Sequence, residues 1–134
     1  MDGQIGWGEL FLNPQGRLAR TPFLIGAAVL IAIAAIYESW VTSALHWLTG
    51  LFVYGLLLYS GACLLSKRLH DRGRSGWWAA LILFALAAAW PHPRGNFGGL
   101  VFTLILIWAA IELGAMHGED GANRFGPSPL AQGV

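Results

Sequence analysis

The chain has 134 residues, 56% of them hydrophobic and only 11% charged, with a formal net charge of +1. A soluble domain of this size carries roughly 25% charged residues, so a water-solvated sphere is excluded and the class is membrane, in line with a mean hydropathy of +0.57. The near-neutral balance excludes a nucleic-acid binder, which needs a basic stripe, and the single cysteine, Cys63, excludes an internal disulfide framework.

Residues 1–16 place Ile5, Trp7, Leu10, Phe11 and Leu12 ahead of Asn13-Pro14-Gln15-Gly16. Leu10 and Phe11 follow Trp7 by three and four positions, which predicts a short amphipathic turn on the membrane surface, ended by the proline and glycine. Arg17 and Arg20 then precede the first apolar run, which begins near Phe23. Thr42-Ser43-Ala44 resembles a signal cleavage site, but the run before it is long enough to stay as an anchor.

A helix needs about 20 apolar residues to cross a hydrocarbon core roughly 30 Å thick. Residues 22–41 and 47–66 meet this, and residues 97–116 meet it with Glu112 inside. Residues 77–90 form a shorter run, opened by Trp77 and Trp78 and closed by Trp90, as interfacial aromatic anchors do. Residues 67–76 are read as the polar loop between the second and third runs, and residues 117–134 as a polar tail with little helical tendency. The fold expected is an all-α bundle of four transmembrane helices. Ala27, Ala28, Ala32, Ala35, Gly55, Gly61, Ala79, Ala80, Ala110 and Gly114 give its helices small residues, which let backbones approach closely.

Charge supplies an independent orientation. With four spans and the N-terminus inside, Arg17, Arg20, Lys67, Arg68, Arg72, Arg74 and Arg124 fall on the cytoplasmic side and only Arg94 outside, as the positive-inside rule requires. Both termini are then cytoplasmic.

The densest polar segment is Lys67-Arg68-Leu69-His70-Asp71-Arg72-Gly73-Arg74-Ser75-Gly76. Four permanent cations beside one carboxylate attract phosphate, through arginine forks or as a juxtamembrane cluster for anionic lipid. The plainer reading is that these charges only set topology. With Trp77 and Trp78 added, the segment resembles the central signature of the DUF805 family of small bacterial inner-membrane proteins. Gly16-Arg17-Leu18-Ala19-Arg20-Thr21-Pro22-Phe23 resembles the family's G-R-x-x-R-x-x-F approach to its first span, and Gly121-Ala122-Asn123-Arg124-Phe125-Gly126-Pro127-Ser128-Pro129 its C-terminal G-x-N-R-[FY]-G-x-x-P. The chain departs in having Leu24 where an aromatic is common and in a longer apolar stretch after the tryptophan pair. The resemblance implies a membrane location and an unassigned function.

All three segments lie on the cytoplasmic side, so Arg17, Arg20, Lys67, Arg68, Arg72, Arg74 and Arg124 converge with His70, Asp71 and Asn123 among them. Two readings stand side by side. In one, Asp71 pairs with an arginine while Asn123 and glycines such as Gly73, Gly76 and Gly126, the last followed by Pro127, cap helix ends. In the other, the same residues dock lipid headgroups or a partner.

Catalytic readings are weaker. His70-Asp71 resembles the His-Asp pair of metal phosphohydrolases, but a metal centre needs three or more ligands, and His46 and His92 fall on the opposite side, leaving His117. Ser75 lacks a base and an orienting partner, and Gly73-Arg74-Ser75-Gly76 does not follow the P-loop pattern. Glu112 is an ionisable group inside a span and so a functional hypothesis; the plainer reading is that it reaches cytoplasmic water or an arginine of the basic loop. Glu38 is read as interfacial.

The leading expectation is a non-enzymatic subunit or assembly or stabilising factor of a larger membrane complex. It has no cofactor, and its partners are anionic lipid headgroups and other membrane subunits or a second copy of itself. A small transporter or channel using Glu112 is the second reading. A lipid-phosphate enzyme using His70 and Asp71 is the third.

Overall fold

The computed structural model describes residues 7–89 and 95–129. Five helices follow in chain order: α1 Trp7–Leu12, α2 Arg20–Trp40, α3 Ser43–Asp71, α4 Trp78–Ala89 and α5 Phe97–Ala109, the last continuing as a π-helical segment, Ala110–Ala115. At 1.5 Å per residue, the 21 residues of α2 reach about 32 Å and the 29 of α3 about 43 Å. With Phe97–Ala115 they are long and apolar enough to cross a membrane, whereas the apolar α4 has 12 residues. Residues expected to close that short run or to lie beyond it, Trp90, His92 and Arg94, fall outside the described residues, as does Ile5. The result is an all-helical membrane bundle of three long apolar helices and a shorter one.

The order of burial identifies the solvent. Arg68 is 0% exposed while Leu51 is 91% exposed. In water that arrangement would strand a cation in the core and wet a leucine; in lipid it places the expensive group inside and the cheap one outside.

The buried core joins Leu10, Leu18, Phe23, Leu64, Leu69, Ala79, Ile82, Ala109 and Leu113 and gathers at one end of the bundle. Small residues set some of the close approaches there. A Cβ on Gly26 would come within 2.8 Å of Leu64, one on Gly61 would touch Leu83, and one on Gly114 would touch Leu24. Ala28, Ala32, Ala35, Gly55, Ala80 and Ala110 instead face outward.

One sequence expectation changes. The segment 67–76 is not a loop throughout, because α3 continues to Asp71 and Lys67, Arg68 and His70 lie in its last two turns. The physical reason is that Leu69 and Arg68 are buried on the bundle side, so tertiary packing holds the helix past the apolar run. It stops at Gly73, whose φ of +75° allows the left-handed C-terminal cap. There the Arg74 amide donates to Leu69 O at 2.8 Å and the Gly73 amide to His70 O at 3.0 Å. A short helix, α1, forms where the amphipathic turn is expected and docks on α3: Leu10 is buried, Tyr59 donates to Leu12 O at 3.0 Å, and Lys67 Nζ donates to Glu9 O.

Candidate functional site

The segment before α2, the end of α3, the π-helical segment and the tail meet at the charged end of the bundle. Asp71 is the hub of the first cluster. Its Oδ1 accepts from Arg17 Nε at 3.0 Å and its Oδ2 from Arg68 Nη1 at 2.5 Å. One carboxylate thus faces two buried guanidiniums, and backbone carbonyls take the remaining donors. Arg17 donates to Gly121 O at 2.6 Å, Gly126 O at 3.2 Å and Glu119 O at 2.6 Å. Arg68 donates to Leu113 O at 2.6 Å, Leu18 O at 3.1 Å and Met116 O at 2.6 Å.

This local structure explains why arginine occupies these positions. A helix leaves its last carbonyls without partners, and the widened π turn, in which the Met116 amide donates to Ile111 O at 3.2 Å, ends beside Arg68. A guanidinium offers five donors in a rigid fork, enough to satisfy carbonyls from separate segments at once. Its positive charge also complements the negative end of a helix dipole. Arg20 does the same at Ala115 O, 2.8 Å away.

Glu112 is the hub of the second cluster. Its Oε1 accepts from Arg72 Nη2 at 3.0 Å and Arg74 Nε at 2.9 Å, while Arg72 also donates to His117 O. The ionisable residue of the last span therefore reaches arginines from the α3–α4 junction. Arg74 lies 5.9 Å from the Trp78 ring and 5.8 Å from Trp108, within the range of a cation–π contact.

His70 and Asp71 do not act on each other. Consecutive helical residues point about 100° apart, so His70 Nδ1 donates to Gly16 O at 2.8 Å while Asp71 faces Arg17 and Arg68. The base and orienting-acid arrangement suggested by this dipeptide is not assembled. The His70 ring instead stacks on Phe125 at 3.9 Å, and Arg124 lies 4.6 Å over the same phenylalanine. Asn123 Nδ2 donates to His70 O and to Glu119 Oε1, both at 2.9 Å, and its Oδ1 accepts from the Phe125 amide. Asn123 thereby ties the tail to the end of α3. Ser75 Oγ accepts from the Trp77 amide at 3.3 Å, a local turn bond. Trp77 and Trp78 are exposed, as is Pro127.

Two glycines lie close over these groups and a third over Ser66. A Cβ on Gly118 would overlap the Asp71 carboxylate, one on Gly76 would overlap Ser66 Oγ, and one on Gly73 would overlap Glu119. Among the described residues, no three His, Cys, Asp or Glu side chains form a group able to hold a metal ion.

Sequence reasoning missed Glu9, Leu18, Leu113 and Met116 as partners because each contributes a backbone carbonyl, which no side-chain pattern reveals. It also missed Glu119, whose carbonyl holds Arg17 and whose amide donates to Asp71 O at 2.7 Å. The signal available was its place two residues before the C-terminal motif.

At the other end of the α2–α3 hairpin, Glu38 accepts from Tyr54, and its Oε1 lies 3.0 Å from His46 Nε2. Tyr37 and Thr49 share a hydrogen bond of 2.8 Å.

The sequence matches the family described as Protein of unknown function (DUF805) over residues 11–127. It is 37% identical over 126 residues to a protein named Uncharacterized protein YiiR from Escherichia coli strain K12, covering 84% of this chain and 82% of the relative. The protein of the same name from Escherichia coli O157:H7 matches with the same identity and coverage. No solved structure matches.

Proposed function

The chain belongs to the DUF805 family, and from that premise we propose that it is a non-enzymatic, multi-pass component of the bacterial inner membrane, a subunit or an assembly or stabilising factor of a larger complex. The observation that carries this reading is the engagement of its chemically capable side chains with one another. Asp71 is held between Arg17 and Arg68, Glu112 between Arg72 and Arg74, and His70 between Gly16 O and Phe125. Such a cluster fastens segments together and leaves no aligned nucleophile, base and orienting group.

The seven basic residues within the described segments lie at one end, which supports placing that end and both termini in the cytoplasm. Seven Lys and Arg side chains there stand against five carboxylates of the described residues, Glu9, Asp71, Glu112, Glu119 and Asp120, a surplus of two. Arg20 and Arg124 are the exposed cations among them. A surface of that kind suits anionic headgroups or an acidic partner.

Purification from native membranes in mild detergent tests the proposal. Stoichiometric membrane-protein partners or anionic lipid are expected to accompany the chain. A lone chain with neither would contradict it. The transport reading has weaker support, because Glu112 is paired with two arginines rather than facing a polar site at mid-membrane.

A further inference from the structure

The α3–α4 junction holds a guanidinium whose donors the fold uses only in part. Arg74 gives Nε to Glu112, its terminal nitrogens have no hydrogen-bond partner among the described residues, and its side chain is 39% exposed. Glu112 already faces Arg72 as well, so these three groups carry one surplus positive charge. The nearby Glu119 carboxylate lies against Gly73 and accepts from Asn123, forming no ion pair with Arg72 or Arg74. Three residues after Arg74, Trp77 is 85% exposed. The positive end of the α4 dipole begins at the next residue.

The apolar surroundings distinguish a lipid from other phosphates. Leu81 and Phe84, four and seven positions after Trp77, are both exposed and continue one face of α4 away from Arg74. A headgroup phosphate on Arg74 would therefore leave an acyl chain running along Trp77, Leu81 and Phe84. A free ion has no use for that track, and an acidic peptide would have to enter the apolar layer to reach it.

We propose that Arg74, with Trp77 and the Leu81 and Phe84 face of α4, is a binding site for a single anionic phospholipid. The proposal rests on the membrane reading given above and names the ligand of that charged end, but it requires no protein partner. Lipid binding and complex membership can therefore fail separately.

The test is native mass spectrometry of the full chain in detergent, titrated with phosphatidylglycerol and, in separate arms, phosphatidylethanolamine and inorganic phosphate. One phosphatidylglycerol per chain is expected, retained in preference to phosphatidylethanolamine and not displaced by millimolar phosphate. Arg74→Gln is expected to weaken binding about tenfold, the scale of one charge-assisted hydrogen bond, while Leu51→Ala, in the far half of the α2–α3 hairpin, leaves it unchanged. Undiminished binding by a folded Arg74→Gln chain overturns the proposal. So does displacement by inorganic phosphate, which would indicate a simple anion site, or equal retention of both lipids. If Arg74→Gln does not fold, Arg74→Lys decides: it keeps a cation opposite Glu112 but loses the fork, and full affinity in that variant overturns the proposal equally.

Discussion

The charged end of the bundle and the far half of the α2–α3 hairpin are built on opposite rules. At the charged end, Arg17, Arg68 and Asp71 are buried and apolar side chains pack around them. In the far half, Trp40, Trp47, Leu51 and Phe52 face outward, and Leu48 and Leu56 continue the exposed apolar face of α3. The far half has polar groups too, but Glu38, His46 and Tyr54 pair with each other at positions that remain partly exposed. The contrast reflects the solvent. Lipid tails are as apolar as leucine, so apolar contact alone gives helices little reason to associate. Polar pairing and close backbone approach therefore determine which parts of this chain are held in one arrangement.

The largest break in that contrast is expected from Asp71→Ala. It would leave Arg17 and Arg68 buried without their shared carboxylate, a change that costs about 3–5 kcal/mol when a buried pair loses one partner. Denaturation in detergent should show a much lower midpoint and a low yield of folded protein; a wild-type midpoint would mean that the cluster does not hold the fold.

Next comes Gly118→Ala, because its Cβ would overlap the Asp71 carboxylate. Overpacking of this kind typically costs about 1–3 kcal/mol. An unchanged unfolding curve would show that the tail does not press on Asp71.

Glu112→Gln is expected to cost about 1 kcal/mol. Its effect is smaller because Arg74 is more than a third exposed and the pair is screened. A loss as large as that of Asp71→Ala would erase the distinction between the two hubs.

At the far end, Leu51→Ala should change stability by no more than about 0.5 kcal/mol, as exposed positions do. A large loss there would show that the outward face is covered by another protein rather than by lipid.

The bundle was readable in the sequence because hydropathy follows directly from the need to satisfy backbone in lipid. The limits of α2, and of α5 with its π-helical continuation, fall close to the apolar runs, whereas α3 outlasts its run by five residues. Charge signals water and so points Lys67 and Arg68 to a loop, yet Arg68 is buried against carbonyls of distant segments. Convergence of the three motif segments at one end was legible from spacing and orientation. Pairing of Asp71 and of Glu112 with arginines was among the readings the residues offered, but which arginines, and the backbone carbonyls about 45 to 109 residues away that hold their other donors, were not. The stacking of Phe125 on His70 was likewise unreadable, although both residues stood in recognised motifs.

The most direct measurement is a double-mutant cycle on Arg17→Met and Asp71→Leu, with unfolding free energies determined in one detergent. If the buried pair joins the segment before α2 to the end of α3, the two changes should be strongly non-additive, with a coupling of about 2 kcal/mol or more. Effects that simply add, within about 0.5 kcal/mol, would contradict a bundle held at one end by internal ion pairs.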